Sequence, residues 1–370
     1  MRTLMIITCP TPQRAPTLDA LHQQGVDFEV LYLHAAAHAH KWGTISLNHP
    51  HRVIESRSKA FRYTTGAVLR GEVRTVVAFG YREAGQVGAL LAARLRRCRV
   101  VTRSDANIDA FAEEAAWRRL SRRLAMQALL PATTVVWSIG SKNEQYWRQQ
   151  RGLQRFVRIP YEVPRLPAGS PPQDRSSAPQ ELLRVLYVGR LVGSKRVEDV
   201  IAALHSAEFT GVDWTFNIVG DGPHRPILEA RAGGDPRIRF VGASLYDDLA
   251  DHYRSADVLV LPSSHEAWGL TVNEALGFGV RVIASNAVGA AHDLLTDDNG
   301  SIVDVADVPG WSAALLRVRD FPQQPGRVPA TSTVSLMAGS LADLRGSSTA
   351  GPRMPPPRHP RLRRSRTPQS

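Results

Sequence analysis

Cysteine is almost missing from this chain: Cys9 and Cys98 are the only two in 370 residues. Both fall in apolar runs that read as buried strands, which argues against a disulfide framework and makes a reducing cytoplasm the expected setting. Long apolar runs are missing too. Nothing approaches the ~20 apolar residues that cross a bilayer. The opening MRTLMIITCPTP has too short an apolar core for a signal peptide and reads as a first strand. Aromatic residues are sparse at 7%, against 43% apolar overall, a composition that fits a soluble globular chain long enough for two domains.

Acidic residues are short in one half only. Residues 1–160 carry 24 Lys/Arg against 11 Asp/Glu, residues 161–320 carry 14 against 22, and residues 321–370 carry 8 against 1. The formal charge of +12 is therefore concentrated on the first half. A basic face of this kind meets something acidic: nucleic acid, an anionic membrane or a phosphorylated substrate. Charge alone does not choose among them.

What the chain has in abundance is alternation. Short apolar runs at Leu4–Thr8, Phe28–Leu33, Arg74–Phe79, Val100–Thr102, Thr134–Ser138 and Phe156–Ile159 are separated by helical patterns, clearest at Tyr81–Arg97 and Asp109–Leu129. Continuous apolar strands alternating with helices predict a parallel sheet covered on both faces. YEVPRLPAGSPPQDRSSAPQ, residues 161–180, breaks the pattern and reads as a linker. Alternation restarts in LLRVLYVGRL and runs through WTFNIVG, IRFVG, DVLVLPS and VRVIAS, with helices at Val197–Ala207, Pro226–Ala232 and Tyr246–Ser255. The expected organisation is an acceptor-type domain over 1–160, a linker over 161–180, a second α/β domain over 181–320 and a tail over 321–370. That tail is rich in Pro, Arg and Ser, lacks periodicity and is read as disordered.

Ligands of such sheets bind at the carboxyl ends of the strands. Three loops of the second half fit that place. In VGRLVGSKRVEDVI, Arg190 and Lys195 follow a strand end at a spacing of five and precede a helix, a pairing suited to a diphosphate. Two solvated loop cations are the alternative. In NIVGDGPHRP, Gly220 and Gly222 permit a tight turn with backbone close to a ligand, and Pro223 stiffens the exit, though the signal is weak. DVLVLPSSHEAWGLTVNEAL carries Glu266 and Glu274, eight positions apart. Thr271-x-x-Glu274 matches a capping box, a structural reading that spacing cannot dismiss. Glu266 precedes the turn and has no helix to cap, so it is free to accept sugar hydroxyls.

The order of VGRL and SK, VGDGP, then HEAWGLTVNEALGFGVRVIAS with its Glu-x7-Glu motif, and Asn299–Gly300, resembles the nucleotide-binding half of the group 1 retaining glycosyltransferases over residues 183–318. That resemblance implies the GT-B fold, two Rossmann-like parallel-sheet domains facing a central cleft. It implies that Arg190 and Lys195 hold the donor's diphosphate, that Glu266 contacts the transferred sugar, and that Glu274 accepts from the ribose. It further implies that Gly269, Leu270 and Thr271 offer backbone amides to phosphate, and that Gly220–Pro223 borders the base. No cofactor or metal is expected, in agreement with the absence of Asp-x-Asp; a nucleotide sugar and a carbohydrate or lipid-linked acceptor are the implied partners.

The first half matches only in architecture. It lacks the family's Gly-rich loop after the first strand. Asp105 in TRSDAN could face the cleft on the acceptor side or cap a helix. His34, His38 and His40 cluster without supporting carboxylates or thiolates and read as solvated rather than zinc-binding. Arg118, Arg119, Arg122 and Arg123 ring a helix with Trp117, which could lie on the anionic inner face of a membrane or be an ordinary solvated surface. The resemblance implies closing helices that cross back to the first domain, and the tail composition instead reads as a truncated or frame-shifted end. Two alternatives therefore accompany the transferase reading: a non-catalytic nucleotide-sugar-binding remnant, and a basic nucleic-acid-binding protein, the latter not expected.

Overall fold

The computed structural model describes residues 2–35, 45–106, 133–150, 155–161, 182–245, 248–320 and 333–346, with Trp117, Leu124, Met126 and Leu153. Arg118, Arg119, Arg122 and Arg123, His38 and His40, most of the expected linker, and residues 321–332 and 347–370 lie outside them. Among the described residues no helix is long and apolar enough to cross a membrane.

The apolar runs become strands because neighbours on both faces bury them. In the first half these are β1 (Arg2–Ile7), β2 (Phe28–Tyr32), β3 (His51–Val53), β4 (Val73–Phe79), β5 (Arg99–Arg103), β6 (Val135–Ser138) and β7 (Phe156–Arg158). They form a sheet in the order β3-β2-β1-β4-β5-β6-β7, every pairing parallel. One face packs on the helices Arg57–Leu69 and Ala84–Arg96, the other on the helix Ala15–Gln23. In the second half β8 (Leu182–Val188), β9 (Asp213–Val219), β10 (Ile238–Gly242), β11 (Val258–Leu261), β12 (Arg281–Ser285) and β13 (Gly300–Val303) give the order β10-β9-β8-β11-β12-β13, again all parallel. Strand order reverses between β1 and β4 in one sheet and between β8 and β11 in the other. Those reversals open the crevices in which doubly wound sheets hold ligands.

Two expectations need correction. Neither cysteine lies in a strand: Cys9 follows β1, Cys98 precedes β5, and both are free and half-buried. The tail is not irregular throughout. Thr333–Gly346 is a helix whose Val334, Met337, Leu341 and Leu344 are buried against the first domain. Ser340 Oγ accepts from Trp137 Nε1 at 2.9 Å, and Thr333 Oγ1 donates to the Pro160 carbonyl at 3.1 Å. Composition hid this helix because its apolar positions sit among Ser, Gly and Ala, which carry little periodic contrast. Its packing reproduces the crossing-back implied by the family resemblance.

Candidate functional site

The loops after β8 and β11 meet at the reversal of the second sheet. A short 3₁₀ turn, Gly193–Lys195, follows Arg190. It ends at Arg196, held left-handed at φ 48° while its guanidinium grips Asp199 at 2.7 and 2.8 Å. The Ser194 carbonyl accepts from Ser264 N at 2.8 Å, which ties this turn to the loop carrying Glu266. Lys195 Nζ and Glu266 Oε2 consequently form an ion pair, with side chains only 14% and 23% exposed. Arg190 is exposed on the same loop, and its carbonyl accepts from Tyr187 Oη at 2.9 Å. The Tyr187 hydroxyl is held well above the usual tyrosine range, chiefly by burial and then by the Glu266 charge, with Arg190 opposing. Lys195 and Glu266 thus stand side by side, and the charges of both Glu266 and Arg190 act on the Tyr187 hydroxyl.

Glu266 is fixed from the other side by the loop after β12. Its N–H donates to Ala287 O at 3.3 Å, and its carbonyl accepts from Gly289 N at 3.1 Å. Gly269 then turns at φ 97°, and the helix Leu270–Gly277 begins. A Cβ at Gly269 would stand 3.0 Å from Val288 and 3.4 Å from Glu266 Cγ, so a side chain there would be strained and would press on the carboxylate loop. The first N–H groups of that helix, from Leu270 and Thr271, point out of its N-terminus, as helix geometry requires.

The capping-box reading of Glu274 does not hold. Gly269 takes the N-cap position with no side-chain cap. Glu274 is instead 4% exposed, accepting from Tyr253 Oη at 2.6 Å and from the Gln13 side chain of the first domain. Burial pushes its carboxyl above the usual range against both of those hydrogen bonds. The glycine loop packs closely on the Arg190 loop. A Cβ at Gly220 would overlap the Gly189 carbonyl, and one at Gly222 the Leu191 carbonyl. These glycines let two protein loops touch, bonded through Leu191 N to Asp221 O at 2.9 Å and His224 N to Leu191 O at 2.9 Å. Gly220 and Gly222 therefore let this loop buttress the Arg190 loop, with Pro223 between the bonded Asp221 and His224.

The first domain closes the far wall. Asp105 is exposed and accepts from Tyr161 Oη at 2.6 Å, and Tyr161 lies 6.2 Å from the Trp268 ring. Trp268 Nε1 donates to Asn273 at 2.8 Å. Gly140 abuts Trp268 and Asp293, whose carboxylate accepts from Ser141 N at 2.8 Å and Ser141 Oγ at 3.0 Å. Lys142 Nζ donates to Asn286 O at 2.7 Å. Sequence reading missed Gln13, Tyr161, Tyr253 and Asp293, because each acts through a partner distant in the chain, and it missed Tyr187, whose hydroxyl bonds the Arg190 carbonyl three residues on. A tyrosine within an apolar strand, as at Tyr187, was the one available signal, since a buried hydroxyl needs a partner.

Two doubly wound parallel sheets set against each other make the GT-B architecture. The chain belongs to the group 1 glycosyltransferases, whose family pattern matches residues 183–320. It is 32% identical over 267 residues to a GDP-mannose-dependent alpha-(1-6)-phosphatidylinositol dimannoside mannosyltransferase of Mycobacterium tuberculosis, spanning 67% of this chain and 68% of that one. It is 33% identical over 195 residues to a glycogen synthase of the same species, spanning 50% of this chain but only 46% of that relative. The lipopolysaccharide outer core galactosyltransferase WaaB in its apo form shares the fold at a TM-score of 0.70 and 15% identity, with 93% of this chain and 99% of that one covered.

Proposed function

We propose that this protein is a retaining glycosyltransferase that moves a sugar from a nucleoside-diphosphate donor to a carbohydrate or lipid-linked acceptor, without a bound metal. The observation that carries this reading is the Lys195–Glu266 pair at the strand-order reversal. Paired and half-enclosed, each group is pre-aimed. A donor entering between them divides the pair, the diphosphate taking the ammonium and the sugar hydroxyls taking the carboxylate. Arg190 and the N–H groups at Leu270 and Thr271 add donors to the same diphosphate.

Cleaving the sugar–phosphate bond builds negative charge on the leaving group, and fixed cations at that point lower the barrier. The departing phosphate then accepts the acceptor's proton on the face it leaves, so the sugar keeps its anomeric configuration. Glu274 is read as the acceptor for the ribose, whose hydroxyls would replace the Gln13 bond; Asp105 stands on the acceptor side. The reading as a disabled remnant drew its force from a missing return helix, and Thr333–Gly346 supplies one. Arg118, Arg119, Arg122 and Arg123 remain proposed contacts for an anionic membrane, beside the exposed Trp117. Localisation at the cytoplasmic face of the membrane is part of the same proposal.

Nucleoside diphosphates and nucleotide sugars are tested by thermal shift: a bound donor at 100 times its Kd stabilises by ~2.7 kcal/mol. Proton NMR of the product's anomeric centre then reads the stereochemistry. A protein that responds to none of the nucleotides, or a product of inverted configuration, overturns the reading.

A further inference from the structure

The wall facing the donor loops holds two guanidinium groups that the reading above does not use. Arg103 ends β5 and is 4% exposed. Its Nη1 donates to the Ile159 carbonyl at 2.6 Å and its guanidinium lies 5.1 Å from the Tyr161 ring centroid. Among the described residues no carboxylate lies within ion-pair distance of it. Asp105, the acidic group nearest in its field, is engaged by Tyr161. Arg14 follows β1 and its guanidinium lies 5.0 Å from the centroid of Phe79, the last residue of β4. No described carboxylate pairs with Arg14 either, and its charge is near enough to Arg103 to disfavour that cation further.

An arginine cannot shed its proton, so a buried one without a counter-ion is costly unless something brings the missing charge. Arg14 lies against the end of β4 at the strand-order reversal of the first sheet, where such sheets hold ligands, and Arg103 ends the neighbouring strand β5. They also abut the donor loops: Gln13, next to Arg14, reaches Glu274, and Tyr161, beside Arg103, touches Trp268. Aromatic rings cover one face of each guanidinium and leave the N–H edges to define direction.

We propose that Arg14 and Arg103 form an anion subsite on the acceptor wall, and that the acceptor is a hydroxyl-bearing molecule carrying a phosphate group. A phosphate offers enough charge and enough acceptor oxygens for two forked donors at once. The class of acceptor rests on the transferase reading; the anion subsite itself does not.

The test uses the full chain saturated with a nucleoside diphosphate, so that the donor side is filled, and titrates inorganic phosphate and glycerol phosphate by calorimetry. Wild type should bind both. Arg14→Gln and Arg103→Lys should weaken that binding by about tenfold or more, or ~1.4 kcal/mol, while nucleoside-diphosphate affinity stays unchanged. Should Arg103→Lys fail to fold, Arg14→Gln at its half-buried position still decides. Competition by phosphatidylglycerol vesicles but not phosphatidylcholine vesicles assigns the phosphate to a lipid headgroup; lack of competition assigns it to a soluble ester. Phosphate binding indifferent to both arginines overturns the proposal, as does a parallel loss of nucleoside-diphosphate affinity, which would give the guanidiniums to the donor. If wild type binds phosphate through Arg14 but no nucleotide at all, the donor reading fails and the subsite stands.

Discussion

Replacing Lys195 by alanine removes one member of a pair whose side chains are 14% and 23% exposed. For folding, a charge-assisted bond contributes about 1.5–3 kcal/mol, and the remaining exposure of both groups places this one at the low end. Glu266 keeps its backbone anchors at Ala287 and Gly289, so its loop should survive. For transfer the consequence is larger. One preorganised donor aimed at developing charge is worth about 2.7–4 kcal/mol, or 10²–10³ in kcat. Lys195→Ala should therefore lose that factor in kcat and weaken nucleoside-diphosphate binding about tenfold, ~1.4 kcal/mol. Glu266→Gln should lose transfer to a similar degree while leaving nucleoside-diphosphate affinity near the wild-type value, since the carboxylate is assigned to the sugar. Steady-state kinetics with the donor, and calorimetry with the nucleoside diphosphate alone, separate the two effects. Circular dichroism melting checks that both variants fold. A Lys195→Ala enzyme with unaltered nucleotide affinity and turnover, or a Glu266→Gln protein that simply unfolds, refutes the assignment of the pair to donor chemistry.

Gly220→Ala places a Cβ into the Gly189 carbonyl at φ 140°, so overlap and backbone strain add, and urea unfolding should show a loss of about 3 kcal/mol or more. Burial raises the Glu274 carboxyl above its unfolded value, so its charged form weakens the fold above the ordinary carboxylate range and the penalty lifts as pH falls through the raised pKa. Glu274→Gln should consequently gain more Tm at pH 8 than at pH 5 in the nucleotide-free protein, and an equal gain at both would show that the carboxylate is not held high. Leu341→Ala empties a fully packed position between the returning helix and the first domain, and should lower the first unfolding transition by an amount equivalent to about 2–5 kcal/mol. An unchanged transition would mean that the helix does not hold that face.

The alternation of apolar runs and helical segments was enough for the buried strands of both sheets but not for the edge strands β3 and β13, because buried parallel strands are written as continuous hydrophobic stretches whatever lies beside them. A strand of three residues at an edge was not legible: His51–Val53 is exposed at all three positions and carries no apolar pattern. Its pairing with β2 comes from backbone bonds, which composition does not report. Thr333–Gly346 escaped for a related reason, since its buried face is made as much by Trp137 across the interface as by its own four apolar residues.

The site divides along the same line. Arg190, Lys195, Glu266 and Glu274 stand out because each is a charged residue beside a strand end or a helix start, and local sequence marks those places. What sets their chemistry is nonlocal. Glu274 looks like a cap until Tyr253 and Gln13 are seen to claim its oxygens, and Gly220 looks like a ligand-facing hinge until the Gly189 carbonyl fills the space where its side chain would be. Gln13 is the instructive case. It lies in a loop that lacks the glycines expected of the family, yet that loop reaches across the cleft to a buried carboxylate of the opposite domain. That side chain adds one bond to the Ser141–Asp293, Lys142–Asn286 and Tyr161–Trp268 contacts that join the two domains. Gln13→Ala should therefore strip one inter-domain bond to a buried carboxylate and lower the thermal midpoint in calorimetry by the equivalent of about 1–3 kcal/mol, and an unchanged midpoint would mean that this amide does not hold Glu274.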